Sequence, residues 1–363
     1  SYDGGDTRAL RGIFSELELT RLLAQLDPAP AIEGHYETIV DPNGLLRVAR
    51  SIRDTGSFAI YTVMDVEDPI IGDLVGVALS WLEGVSAYVH LGHRYIGGPD
   101  HLSWEDAAPI LTPLLENSLI PKLTLAKRER AFWGRRGVRV RGVEFDPAIA
   151  SYLLDPARHA HRLEDVARQE LDGALTEENS VRGKGKKAKN WDEIEVESVA
   201  RYANERADFT FRLSELLTPR MHEGEFARLF YDIELPLAGV LATMELDGIR
   251  VDSELLEELA WEAAAELERL RGECTELAGH EFNVSSPRQL ETILFDELEL
   301  PVIKKTKTAR STDHEVLEEL ALQHPLPQAI LEYRSVSKLK STYLDALPRE
   351  VNPETGRIHT RYN

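Results

Sequence analysis

Between Ser253 and Ala278 the apolar residues Leu256, Ala260, Ala263, Leu267, Leu270, Cys274 and Leu277 recur in alternating steps of four and three. That spacing is the period of a long helix with a narrow seam, which a second helix must cover. Residues 326–347 offer an antiparallel partner. Between the two lie FNVSSPRQLETILF and a small helix over 313–321. Ser286-Pro287 puts proline at the first position of a further helix, and Thr312-Asp-His-Glu315 reads as a capping box. With 236–244 also helical, the last third of the chain is expected to be a helical arm with a polar tip.

The sequence upstream has a different rhythm. From about 36 to 217, short apolar strand candidates (SFAIYTV, LVGVALSWL, VSAYVHL) precede helices near 103–117 and 204–217. Hairpin-like strands followed by strand–helix alternation give a mixed α/β sheet. Residues 1–37 read as a tail with one short helix, FSELELTRLLAQL, stopped by DPAPA. The length of 363 residues allows two or three domains, each with its own core. A net charge of −21 excludes a protein that coats nucleic acid through an overall basic surface. Local basic patches still operate, because screening confines each field to roughly 8–10 Å. The single cysteine, Cys274, excludes an internal disulfide and lies in the helical seam, where its role is packing. No run reaches the length of a membrane-spanning helix and no signal-peptide pattern opens the sequence, so a cytoplasmic protein is expected. A first residue of serine suggests a piece of a longer protein.

Five stretches, LPLAGVLATMELDGIRVD, EFNVSSPRQLETILF, STDHEVLEELA, LPQAILEYRSVSKLKSTYLDALP and NPETGRIHTRYN, follow one another in order. Together they resemble the thumb and first palm strand of the bacterial DNA polymerase I family, the family A DNA polymerases. The α/β region resembles that family's proofreading domain, a ribonuclease H-like 3′–5′ exonuclease fold. The resemblance implies an α/β fold with a mixed sheet, followed by a mainly α-helical thumb with the start of the palm. Its divisions would be a tail over 1–37, an exonuclease-like domain over 38–222, and a truncated thumb with palm strand over 223–363.

Proofreading by this fold is two-metal hydrolysis, and hard divalent ions need several carboxylate oxygens. The family places an Asp-x-Glu pair on one face of a strand; the matching positions here are Tyr61 and Val63. Its second motif, an Asp with an Asn one turn earlier, falls on Glu129 and Leu125. Its third, Tyr-x-x-x-Asp, falls on YANER, where Tyr202 is kept and Arg206 stands for the aspartate. A guanidinium accepts nothing, so the resemblance implies a fold kept without its chemistry, as in some thermophile relatives. A relocated metal site at Asp65 and Glu67, itself an Asp-x-Glu, is the alternative. Acids leaving a strand just before Pro69 read more simply as solvated loop residues.

A basic run replaces the second motif: Lys122, Lys127, Arg128, Arg130, Arg135, Arg136, Arg139 and Arg141. It reads either as a passive single-strand contact surface or, the reading taken, as a solvated face paired with the chain's acids. RGKGKKAK over 182–189 reads as a surface loop. The arm tip carries Lys304, Lys305, Lys307 and Arg310 among Thr306, Thr308, Ser311 and Thr312, with no acid from Val302 to Thr312. The resemblance implies that Asn283, Ser285, Lys304, Lys305, Lys307, Ser311 and Thr312 grip duplex DNA across the minor groove. Arg334, Lys338 and Lys340 resemble further backbone contacts. Phosphate contacts without base readout suit a protein that must hold every sequence.

The sequence ends before the family's magnesium-binding palm aspartates, and it holds no glycine-rich phosphate loop, zinc-spaced set or Ser–His–Asp arrangement. His93, His159 and His161 read as residues of surface loops. The expectation is a fragment of a DNA-templated polymerase of replication and repair that neither polymerises nor proofreads alone. No cofactor is expected in it, magnesium belonging to the parent palm. The expected partner is primer–template duplex DNA, with no membrane, in a monomeric, nucleoid-associated bacterial protein. A free-standing noncatalytic DNA-binding module is the other reading.

Overall fold

The computed structural model describes residues 34–95, 97–98, 101–305 and 309–362, with Leu10, Ile13, Phe14, Leu19 and Leu22 before them. The tail helix FSELELTRLLAQL lies almost wholly outside the described residues, as does Lys307. The chain divides into two compact units, one running to Asp247 and rejoined by Tyr362, the other spanning Gly248–Arg361. The helix at 236–244, expected with the thumb, therefore belongs to the first unit.

The first unit is built on six strands: β1 (His35–Ile39), β2 (Phe58–Met64), β3 (Leu74–Leu82), β4 (Val85–His90), β5 (Lys122–Leu123) and β6 (Val143–Phe145). Their spatial order is β1-β4-β3-β2-β5-β6. β2, β3 and β4 pair antiparallel, whereas β1 on β4, β5 on β2 and β6 on β5 pair parallel. The mixed sheet matches the expected fold class. β1 corrects the tail boundary, because His35, Tyr36 and Glu37 are already paired with β4.

The longer helices of the unit are α1 (Pro42–Thr55), α2 (Trp104–Glu116), α3 (Ala126–Arg135), α4 (Pro147–Leu154), α5 (Leu163–Glu170), α6 (Val196–Glu223) and α7 (Leu235–Asp247). All of β2 is buried, so alternation sends its residues into two apolar layers. Phe58, Ile60 and Met64 join the larger core with α1 and α2. Tyr61 and Val63 face a second layer made by Ala78, Tyr88, Trp191 and the inner side of α6. Gly76 sits opposite Val63 because a side chain there would meet the Tyr88 ring within 2.2 Å.

In the second unit α8 (Ser253–Ala278) begins and ends where the seam predicts, capped by Asp252 and closed by Gly279 in the left-handed region. α9 (Pro287–Thr292), α10 (His314–Ala321) and α11 (Pro325–Leu339) follow. α8 packs along α11, with Ala263, Leu270 and Cys274 the buried positions of the seam. Cys274 is fully buried beside Leu290, Leu317 and Ile330, which fits packing. The cap of α10 is Asp313, which accepts from the Val316 amide, and not Thr312. Thr312, one residue before the cap, is buried, and its carbonyl accepts from Arg334.

Candidate functional site

Tyr61 and Val63 stand on the buried face of β2, where the fold would place two carboxylates. The Tyr61 ring meets Tyr202 of α6 edge-on at 6.3 Å, and Trp191 lies 4.3 Å from Tyr202. Two guanidinium groups complete this layer. Arg206 stacks 3.3 Å over Tyr202 and 5.9 Å from Tyr61, while Arg128 stacks 4.7 Å over Tyr61. Desolvated contacts of this kind contribute about 2 kcal/mol each. Burial pushes the Tyr61 hydroxyl up to about 12, so it stays neutral and offers no anionic oxygen.

The cations are fully engaged by the protein itself. Arg206, 1% exposed, donates to the Tyr202 carbonyl at 3.1 Å, the Thr176 carbonyl at 3.2 Å and Glu164 at 2.6 Å. Arg128 donates to Glu129 and the Thr62 carbonyl, both at 2.7 Å, and pairs with Glu67 at 3.2 Å. Glu129 is the one carboxylate at these motif positions. Its carboxylate accepts from the Thr62 amide at 3.0 Å, the Thr62 hydroxyl at 2.5 Å and Trp133 Nε1 at 3.1 Å. Thr62 points to the opposite face of β2 from Tyr61 and Val63, which takes Glu129 away from the metal positions.

The relocated pair does not assemble either. Asp65 Oδ1 accepts from the Val66 and Asp73 amides, both at 2.7 Å, as a turn residue beyond the strand, and Glu67 is held by Arg128. Among the described residues no three His, Cys, Asp or Glu side chains form a group able to hold a metal. The residues present thus do not fit the pair of divalent ions that the fold family implies. A cleft of about 1060 Å³ remains beside Tyr61, lined by Leu125, Tyr152, His161, Glu164 and Arg206. His159 is exposed and His161 half-buried there, but His93 is buried, with Nδ1 2.9 Å from the Ile194 carbonyl and Nε2 2.9 Å from the Tyr88 hydroxyl. His93 therefore lies in a loop but is packed into the core, not on the surface.

Most of the basic run has internal partners. Lys122 is fully buried against the Asn117 and Ile120 carbonyls, and burial pulls its ammonium down to about 8. Lys127 pairs with Glu245 at 2.8 Å, Arg130 donates to the Leu235 carbonyl, and Arg135 and Arg136 to that of Gly72. Arg139 and Arg141 are exposed.

In the second unit, α9 ties two loops together. Gln289 accepts from the Asn283 amide at 2.7 Å, and Asn283 Oδ1 in turn accepts from the Ser285 amide at 2.9 Å. Glu291 accepts from the Arg310 amide at 2.9 Å. Asn283, Ser285, Lys304, Lys305 and Lys338 are exposed. Lys304 reaches Asp313 at 2.8 Å and Glu315 at 3.8 Å, while Lys305 pairs with Arg310 in an antiparallel bridge. The remaining residues differ from the expectation of surface contacts. Ser311 and Thr312 are 7% and 9% exposed, Arg334 donates to the Thr312 carbonyl at 2.7 Å, and Lys340 pairs with Asp345 at 2.8 Å. The sequence identified the cationic tip but could not show which of its side chains the fold turns inward. It also gave no sign of Trp191, or of Glu164, which lies 42 residues from Arg206 along the chain.

Residues 253–363 match the model of DNA polymerase family A, and residues 91–213 match the ribonuclease H-like domain of DNA polymerase I. DNA polymerase I of Pseudomonas aeruginosa is 37% identical over 339 residues, which cover 91% of this chain and 37% of that protein. The thermostable DNA polymerase I of Thermus filiformis is 46% identical over 220 residues, covering 60% of this chain and 23% of its own length. The POL domain of Pol1 from M. smegmatis, in complex with DNA primer-template and dNTP, superposes with a TM-score of 0.72 at 29% identity. That match covers 90% of this chain and 52% of the other. The chain thus spans well under two thirds of the length of these relatives. With a mixed sheet bearing the ribonuclease H-like match and a helical unit bearing the polymerase match, the chain belongs to DNA polymerase family A as a segment of the DNA polymerase I type.

Proposed function

We propose that this chain is the part of a DNA-templated DNA polymerase of replication and repair that grips duplex primer–template DNA. Its sheet unit serves as architecture and performs no 3′–5′ hydrolysis. The observation that carries the duplex reading is the set of exposed polar and cationic side chains held around α9: Asn283, Ser285, Lys304 and Lys305. Amides, hydroxyls and ammonium groups of this kind bind phosphate oxygens without reading bases. Lys338 is a further exposed cation on α11. The inactive reading of the sheet unit is supported by the Arg206–Tyr202–Tyr61–Arg128 layer over the metal positions. Polymerisation would depend on magnesium held by palm carboxylates of the parent, outside these residues. We place the parent in the cytoplasm as a monomer; no helix among the described residues is long and apolar enough to cross a membrane.

Duplex affinity measured against salt tests the reading. Replacing Lys304 and Lys305 with alanine is expected to weaken binding and to lower the slope of log K against log salt by about 0.9 per lost phosphate contact. An unchanged slope would remove the tip from the account.

A further inference from the structure

Arg310 shares the cationic stretch of Lys304 and Lys305, but its guanidinium is differently placed. Nε lies 2.8 Å from Glu291 Oε1, and Nη1 and Nη2 lie 2.5 and 2.7 Å from the two oxygens of Asp296. Its carbon sits 5.3 Å over the Phe295 ring, itself part of the unit's core. A bidentate fork of this type fixes direction as well as distance, and leaves no nitrogen free of an acidic partner. The Arg310 amide also donates to Glu291. On the other side, Arg310 pairs with Lys305 across the antiparallel bridge, and the Ser311 amide donates to the Lys304 carbonyl at 2.9 Å.

We infer that Arg310 is a positioning residue for duplex binding: it clamps the Lys304–Lys305 segment onto α9 through Glu291 and Asp296, and holds no phosphate itself. The inference rests on the duplex-binding reading above. Lys304 and Lys305 are exposed, and beside the Lys304–Asp313 ion pair it is this clamp that ties their backbone to α9. Releasing it returns conformational freedom that binding must then remove, at a cost of about 1–2 kcal/mol per residue ordered, or about five- to thirtyfold in affinity.

Two variants separate positioning from direct contact, because they push the alternatives in opposite directions. Glu291→Gln with Asp296→Asn removes two negative charges near the tip and frees the Arg310 guanidinium. A direct phosphate contact would then bind duplex more tightly and with a steeper salt slope. A positioning role predicts weaker binding, about five- to thirtyfold, with the slope unchanged. Arg310→Gln should weaken binding to a similar extent, again at constant slope. Hydrogen exchange without DNA supplies an independent readout: the Arg310 and Ser311 amides should exchange faster in both variants, while the amides of α8 and α11 keep their protection.

Tighter binding by the acid-to-amide variant, a slope lowered by about 0.9 in Arg310→Gln, or unaltered exchange at Ser311 would each overturn the inference while leaving the duplex reading intact. Absence of salt-dependent duplex binding in the unsubstituted chain would instead remove the duplex reading, and this inference with it.

Discussion

The rings of His90 and His101 lie near His93, with the His90 and His93 centroids 4.7 Å apart and those of His90 and His101 5.7 Å apart. Burial lowers the imidazolium of His93 to about 4, against weaker opposing effects from the Ile194 carbonyl and Glu197. The unfolded chain binds a proton near pH 6.5 that the folded chain refuses until about pH 4, so stability falls as pH drops through that window. The loss expected is about 2–3 kcal/mol, with Tyr88 and Tyr95 the other ring neighbours of His93. Urea unfolding of the protein and of His93→Gln at pH 7 and pH 4 checks this, and the variant should show the shallower decline. A single residue was legible in sequence when its type alone decided the chemistry. Tyr61, Val63 and Arg206 are of that kind, since none can supply the oxygens a divalent ion needs. The partners that hold them were not legible, because Glu164 and Arg206 meet only after the fold brings α5 onto α6.

The long seam of α8 could be read to the residue, since a helix repeats its pattern many times before it ends. β5 and β6, two and three residues long, offer no period to read, and pairing with neighbours alone makes them strands. Capping by Asp146 likewise depends on the fold. Its Oδ1 accepts from the Ala148 and Ile149 amides at the start of α4, and its Oδ2 from the Ala126 amide of α3 at 2.7 Å. One buried carboxyl thus joins two helix starts, and burial pushes it up to about 6. Asp146→Ala would strand three amides and is expected to cost about 2–3 kcal/mol in thermal or urea unfolding. A cost near zero would show that water replaces the cap.

For the molecule as a whole, a net charge of −21 coexists with a cationic tip, and the internal pairing of the basic run reconciles the two. Lys122, Lys127, Arg128 and Arg136 have partners within the sheet unit, so their charge contributes little to an outward field. The second unit instead exposes Lys305 and Lys338, with Lys304 also at the surface but paired with Asp313. In the function proposed, the sheet unit is kept for its shape and the helical unit for its surface. The central claim is that guanidinium–tyrosine packing has taken the place of the metal site. The most direct test is a time course of a 5′-labelled single-stranded oligonucleotide incubated with the chain in magnesium or manganese. The account predicts that the oligonucleotide stays full length. Manganese-dependent shortening from the 3′ end, abolished by Glu67→Gln, would contradict it.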